Sequence, residues 1–269
     1  MSIIKNDFEK QNVTKIKNAK NNKKLTMITA YDALFAKLFE EVADMILVGD
    51  SLNMSFAGEA DTLSATLDQM IYHTKAVCKG APRSFVILDM PFGSYINKNQ
   101  ALENAIKVYR ETPAAAIKIE GGEDRAHIIE HLTKNSIAVM GHIGLMPQYV
   151  RSEGGYKVRG KTQEDIEQLV SDAIAVEAAG AFAIVAEGVK TEAALAITKA
   201  VKIPVIGIGA GNVTDGQVLV WSDMLGFFEE FKPKFVRHYL KGAQLVKDAV
   251  NQYRSDVQDK SFPSQKEEY

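Results

Sequence analysis

Five successive apolar runs in this chain end on ionisable side chains. MILVGDS closes on Asp50 and Ser51, and FVILD closes on Asp89. AAIKIE carries Lys118 and Glu120, IAVMGH reaches His142, and AFAIVAE reaches Glu187. Charge scattered over a surface would not gather at one end of buried-type segments. Two or three carboxylates with water and a substrate oxygen suit a hard divalent cation such as Mg2+, which takes octahedral oxygen coordination and seldom an all-protein cage. Such an ion leaves positions for a bidentate guest such as a 2-oxo acid, and polarising its keto group acidifies the adjacent C–H. Glu187 stands apart from the other carboxylates and could take that proton.

Each residue also has a plainer reading. An aspartate after a strand is commonly a turn former or a helix N-cap. Asp89 precedes Met90-Pro91, and a residue before proline is pushed toward extended geometry, so it does not open a helix directly. Lys118 and Glu120 are two apart and share one face of their strand, where they could form a structural ion pair. Buried ion pairs stabilise poorly compared with apolar packing, however. A single histidine such as His142 is often just a satisfied hydrogen-bonding group. Five consecutive occurrences favour a site.

The elements that must position these residues alternate. Short β-rich runs occupy 25–30, 44–50, 84–90, 115–120, 137–142, 181–187, 203–209 and 218–221. Helical stripes lie between most of them, at 32–43, 67–78, 100–110 and 164–180, with Asp32 and Thr162 at N-cap positions and Gly180 at a stop. The strands are apolar throughout rather than alternating, which implies burial on both faces, as parallel sheets with helical crossovers require. Eight such units predict an α/β fold, a single-domain (β/α)8 TIM barrel, with active residues at the strands' C-terminal ends. An open doubly wound sheet would call for a glycine-rich turn after the first strand, and MITAYDA has none. Residues 1–24 read as a lysine-rich N-terminal arm and 255–269 as a polar tail.

Composition bounds the rest. The 269 residues are 46% hydrophobic, enough for a large core, and the net charge of -2 gives no electrostatic case for nucleic acid. No apolar run reaches the roughly 18 residues of a membrane span, and no signal-peptide pattern opens the chain. The one cysteine, Cys78, cannot form an internal disulfide, so a cytoplasmic location is the expectation.

Two local matches carry little. His127-Ile-Ile-Glu-His131 fits a zinc-protease pattern, but Ile128, Ile129 and Leu132 would form the buried face and turn both histidines outward. Gly207-Ile-Gly-Ala-Gly211 follows the seventh strand, where barrels often hold phosphate; tight packing by small residues explains it equally well.

Eight motifs occur in order: ITAYDA, VGDSLNM, YHTKAV, DMPFGSY, IKIEGG, GHIGLMPQ, GGYKVRGK and IPVIGIGAGNVTDGQ. Over residues 13–250 the set resembles the ketopantoate hydroxymethyltransferase family. The resemblance implies transfer of a one-carbon unit from 5,10-methylenetetrahydrofolate to 3-methyl-2-oxobutanoate, giving 2-dehydropantoate on the route to pantothenate. It implies Mg2+ on Asp50 and Asp89, with Glu120 beside the metal or joined through water. Ser51, Lys118 and His142 join the two aspartates as substrate-binding positions, and Glu187 becomes the general base. It also implies a homodecamer. Asn53 and Gly188 depart from the family pattern, and the segment between Gln148 and Gly154 is short. A rival of related barrel form is an Mg2+-dependent lyase or mutase of the phosphoenolpyruvate mutase and isocitrate lyase group. Such lyases use a loop cysteine, whereas Cys78 falls on a predicted outer helix. A non-catalytic binding barrel is the remaining alternative.

Overall fold

The computed structural model describes residues 10–229 and 232–269, so the first nine residues of the expected arm lie outside the described residues. The chain divides into two compact units, one up to Val220 and one from Trp221 on. In the first unit, α1 (Val13–Asn18) precedes β1 (Leu25–Thr29), α2 (Ala33–Phe39), β2 (Met45–Val48) and α3 (Leu52–Ser55). There follow α4 (Leu67–Gly80), β3 (Phe85–Asp89), α5 (Lys98–Glu111), β4 (Ala116–Glu120), α6 (Glu123–Lys134) and β5 (Val139–Gly144). A 3-10 turn (Pro147–Tyr149), α7 (Gln163–Ala178), β6 (Ala183–Glu187), α8 (Thr191–Ala200), β7 (Val205–Ile208) and β8 (Gly216–Leu219) complete it.

All eight strands are parallel and close into a barrel in chain order, with β8 returning to β1 through Leu25↔Gly216 and Met27↔Val218. The expected (β/α)8 architecture is the observed one. Local chemistry sets the helix boundaries. Asp32 accepts the N–H groups of Leu34 and Phe35, Thr162 accepts that of Asp165, and Thr66 with Gln69 forms a reciprocal capping box on α4. Gly180, at φ +95°, ends the turn after α7 as predicted.

The last strand starts two residues earlier than its apolar run suggests. An ideal Cβ on Gly216 would lie 2.5 Å from the Leu25 carbonyl oxygen, so only glycine fits where β8 meets β1. Trp221, read as strand, instead opens α9 (Trp221–Met224) of the second unit. In that unit α10 spans Gly242–Gln258, running into the stretch from 255 that reads as a tail.

Alternation along the strands positions the site. The barrel interior is filled by Met27, Met45, Leu47, Phe85, Ile87, Ala116, Met140, Ala183, Val185, Ile206 and Val218, and Ile16 of α1 packs into the same cluster. Side chains two residues apart share a face of a strand. Counting on by twos from Ile87, Ala116, Met140 and Val185 reaches Asp89, then Lys118 and Glu120, then His142, and then Glu187. The polar residues are thus the next layers of the same inward-facing columns, at the C-terminal mouth where barrel enzymes do their chemistry. Register brings Asp89 opposite Lys118 and Glu120 opposite His142.

Candidate active site

Asp50, Asp89, Lys118, Glu120 and His142 are all buried, whereas the Glu187 side chain keeps 21% of its surface open at the mouth. Asp50 lies two residues past the end of β2, where its backbone N–H donates to Asp89 Oδ2 at 3.2 Å. Gly49 permits that approach, because a Cβ there would stand 2.9 Å from Ser51 Oγ and 3.4 Å from Asp89 Oδ2. Ser51 begins α3 without capping it, and its hydroxyl pairs with Tyr31 Oη at 2.9 Å. Neither Asp50 nor Asp89 caps a helix, which removes the N-cap reading for both, while Asp50 stands in the turn into α3, its carbonyl accepting the Asn53 N–H at 2.9 Å.

Lys118 Nζ donates to Asp89 Oδ1 at 2.7 Å and lies 2.9 Å from His142 Nδ1. His142 Nδ1 is 3.5 Å from Glu120 Oε1, while Nε2 sits 3.2 Å from Glu187 Oε2, out of hydrogen-bond alignment. The structure therefore brings together five of the seven predicted side chains through direct contacts, and Asp50 joins them through its backbone N–H. Ser51 adjoins them through Asp50 in the chain.

The electrostatics are unbalanced. Burial, followed by the charges of Asp89 and Glu120, raises the Asp50 carboxyl well above the usual carboxylate range. Burial also raises Asp89, against the pull of Lys118. For Lys118, burial works against its charge, but Asp89, Glu120 and Asp50 outweigh it and raise the ammonium's pKa. Burial and Lys118 push His142 down, and Glu120 and Glu187 more than offset them, lifting it to about 9. The Lys118–His142 bond nevertheless exists only while Nδ1 is unprotonated, since an ammonium has nothing to accept with. In that bonded form the ring proton sits on Nε2, facing Glu187. Taking up a second proton breaks the bond.

Three carboxylates face one buried lysine and one buried histidine here, Lys118 bonds only to Asp89 among them, and uncompensated buried charge is costly. Among the described residues no three or more His, Cys, Asp or Glu side chains are grouped so as to hold a metal ion, so a cation here would rest on fewer side chains and complete its shell with water or a guest. The set is oxygen-rich and open, which suits a hard cation that keeps water and accepts a guest.

Two buried residues at the mouth carry no signal in the strand-tip pattern. Gln148, in the turn after β5, contacts Asp50, Met90 and Glu120, and its side-chain oxygen accepts the Tyr95 hydroxyl at 2.5 Å. Both lie on loops, where apolar periodicity is silent, although Gln148 follows a proline at a strand exit and Tyr95 follows a Pro-Phe-Gly turn. Gln148 also lines an adjoining cavity of about 380 Å3 with Leu63, Ser64, Phe92, Arg151 and Ser152. Asn53 is buried, and its amide donates to Asp61 O and Ser64 Oγ, both at 2.8 Å, so it fastens the loop after α3 rather than facing the carboxylates. Gly188 adopts φ +57°, and a Cβ there would stand 2.9 Å from that of Leu145.

Neither the histidine pair nor the glycine run forms part of the site. Ile128, Ile129 and Leu132 are the buried face of α6; His127 is exposed as expected and His131 is half-buried. In the glycine run, a Cβ on Gly207 would meet Thr214 Oγ1 at 2.8 Å and one on Gly211 would meet Thr191 Oγ1 at 2.7 Å, so close packing accounts for both. Cys78 is buried on α4, where burial pushes its thiol up to about 11. At pH 8 roughly one thiol in a thousand would be ionised. Titration of the native protein with a thiol-specific disulfide reagent is expected to show no fast reaction until denaturant is added. A fast phase without denaturant would contradict this placement.

Known proteins share both the sequence and the barrel. The model of the ketopantoate hydroxymethyltransferase family matches residues 10–265. The 3-methyl-2-oxobutanoate hydroxymethyltransferase of Aliarcobacter butzleri is 80% identical over 269 residues, covering all of both chains. That of a Nitratiruptor species is 64% identical over 261 residues, covering 97% of this chain and 99% of its own. Among solved structures, phosphonopyruvate hydrolase in complex with oxalate and Mg++ aligns over 96% of this chain and 93% of its own, with TM-score 0.63 and 16% identity. A 2,3-dimethylmalate lyase of the PEP mutase/isocitrate lyase superfamily aligns over 91% and 88%, with TM-score 0.59 and 16% identity. At such identities these two structures establish likeness of fold.

Proposed function

This chain belongs to the ketopantoate hydroxymethyltransferase family, and we propose that its barrel mouth binds 3-methyl-2-oxobutanoate beside an Mg2+ ion and removes the proton at C3 for hydroxymethylation. The observation that carries this reading is the convergence of Asp50, Asp89, Lys118, Glu120, His142 and Glu187 at the ends of five successive strands. The donors fit the ion: all three buried carboxylates offer hard oxygens, and Lys118 bonds to Asp89 rather than to Asp50, whose carboxyl is raised by burial and by the charges of Asp89 and Glu120. Asp50 and Asp89 would hold it, with Glu120 close by or joined through water. Bound there, the ion supplies Lewis acidity toward the keto group.

The protein's own groups do the rest. Lys118, held by Asp89 at 2.7 Å, offers an ammonium to the developing oxyanion or the substrate carboxylate. Ser51 supplies a hydroxyl at the same edge, and His142 offers its Nε2–H toward the guest or Glu187. Glu187, the one carboxylate still open to the mouth, takes the C3 proton, and the electron pair moves into the C2–C3 bond. The one-carbon unit comes from 5,10-methylenetetrahydrofolate. C3 forms the new carbon–carbon bond to the methylene, whose two carbon–nitrogen bonds to the folate break; water supplies the hydroxyl oxygen, and the C3 proton and one water proton go to the two nitrogens as tetrahydrofolate leaves.

The lyase or mutase reading has less support, since full-length relatives named as hydroxymethyltransferases reach 80% identity and the only cysteine lies on α4. Incubating the protein with 3-methyl-2-oxobutanoate in D2O, without folate, is expected to exchange the C3 proton when Mg2+ is present and not when it is chelated. No exchange in either case, while oxaloacetate or isocitrate is consumed, would overturn the proposal.

A further inference from the structure

Among the described residues, Gln148 touches two of the buried carboxylates, Asp50 and Glu120, from outside the strands. Its side-chain nitrogen donates to Asp50 Oδ2 at 2.8 Å and to the Met90 carbonyl at 3.0 Å. Its side-chain oxygen accepts from Tyr95 Oη at 2.5 Å. Its backbone N–H donates to Glu120 Oε2 at 3.1 Å. That N–H is available because the first N–H groups of a helical turn have no partner within it. The amide has only one satisfactory orientation. Two acceptors face its NH2 group and a hydroxyl faces its oxygen, so reversing it would place an oxygen against the Asp50 carboxylate. Every polar atom of a buried side chain is thereby engaged, and Tyr95 holds the amide in that sense.

We infer that Gln148 is a positioning residue for the cation site, fixing the orientation of Asp50 and Glu120 relative to each other, with Tyr95 setting the sense of its amide. This inference rests on the proposed cation site. Asp50 needs such a support more than Asp89 or Glu120 does. It lies beyond the end of its strand, so β-sheet pairing does not hold its backbone, and Lys118 bonds to Asp89 rather than to it. The Gln148 bond is made to Oδ2 of Asp50 and not to Oδ1. Groups that orient a metal-holding side chain typically change metal affinity or activity about 10- to 100-fold when removed.

The test compares the wild-type protein with Gln148→Leu and Tyr95→Phe, measuring Mn2+ binding by electron paramagnetic resonance with 3-methyl-2-oxobutanoate present, alongside thermal melting and steady-state kinetics over a range of Mg2+. Gln148→Leu is expected to weaken Mn2+ binding about 10- to 100-fold, with kcat recovering toward wild type at saturating Mg2+. Tyr95→Phe is expected to shift Mn2+ binding in the same direction by less, because the amide is then free to turn. A folded Gln148→Leu protein with wild-type Mn2+ affinity overturns the inference while leaving the cation site standing. Should Gln148→Leu fail to fold, Tyr95→Phe decides alone, and unchanged Mn2+ affinity overturns the inference. Absence of Mn2+ binding by the wild-type protein removes the proposed cation site, and the inference falls with it.

Discussion

Replacing Glu187 by glutamine is expected to lower turnover by about 100- to 10,000-fold, the usual worth of a positioned general base, with little change in oxo-acid affinity. The argument is geometric. Glu187 ends the inward column Ala183–Val185–Glu187, so the barrel holds its carboxylate over the mouth without help from a mobile loop. Its neighbour His142 is 3.2 Å away, and the other carboxylates are either paired with Lys118 or held by Gln148. Glutamine keeps the shape and the reach toward His142 but cannot accept a proton at neutral pH. The loss should therefore appear in kcat and in kcat/KM alike, the pattern of an interaction made only in the transition state. The decisive readout is C3 proton exchange in D2O, followed by NMR. Exchange in Glu187→Gln at the wild-type rate would remove Glu187 from the role of base and direct attention to His142.

How the site could be read from sequence depends on where each residue sits. Asp89, Lys118, Glu120, His142 and Glu187 continue the alternation of apolar strands, so a polar residue there violates a strong pattern and is conspicuous. Asp50 and Ser51 are legible for a neighbouring reason, since they follow an apolar run directly. Gln148 and Tyr95 violate nothing, because a polar residue in a loop is expected there. Only the fold brings them to Asp50, across 98 residues of chain in the case of Gln148. The start of β8 is hidden similarly: Gly216 reads as a breaker, yet its lack of a side chain is what lets the last strand meet the first. Asn53 shows the converse. It departs from the family motif and stands three residues from Asp50, yet its amide bonds serve the loop to Ser64.

Asp50→Asn offers the other large effect, and its two parts have opposite signs. Activity and cation binding should fall together, because one of the two proposed cation-holding carboxylates is gone. Stability of the cation-free protein should rise. Burial and the charges of Asp89 and Glu120 raise the Asp50 pKa in the folded state, above a value near about 3.9 for an unfolded aspartate. A group whose folded pKa is raised contributes its stability below the unfolded pKa and loses it as pH rises through the folded pKa. The wild-type protein in chelator should thus lose stability relative to Asp50→Asn as pH increases from about 4. Asp89 and Lys118 feel the Asp50 charge, so the difference between the two melting curves reports Asp50 together with these neighbours. Adding Mg2+ should reverse the order. At a hundred times its dissociation constant a ligand stabilises by about 2.7 kcal/mol, and only the wild-type protein should gain it. If Asp50 were merely a turn former, the variant would melt lower in chelator and respond to Mg2+ as the wild type does. A metal seat costs the empty fold stability, so the same substitution that disables the site should relieve the protein that carries it.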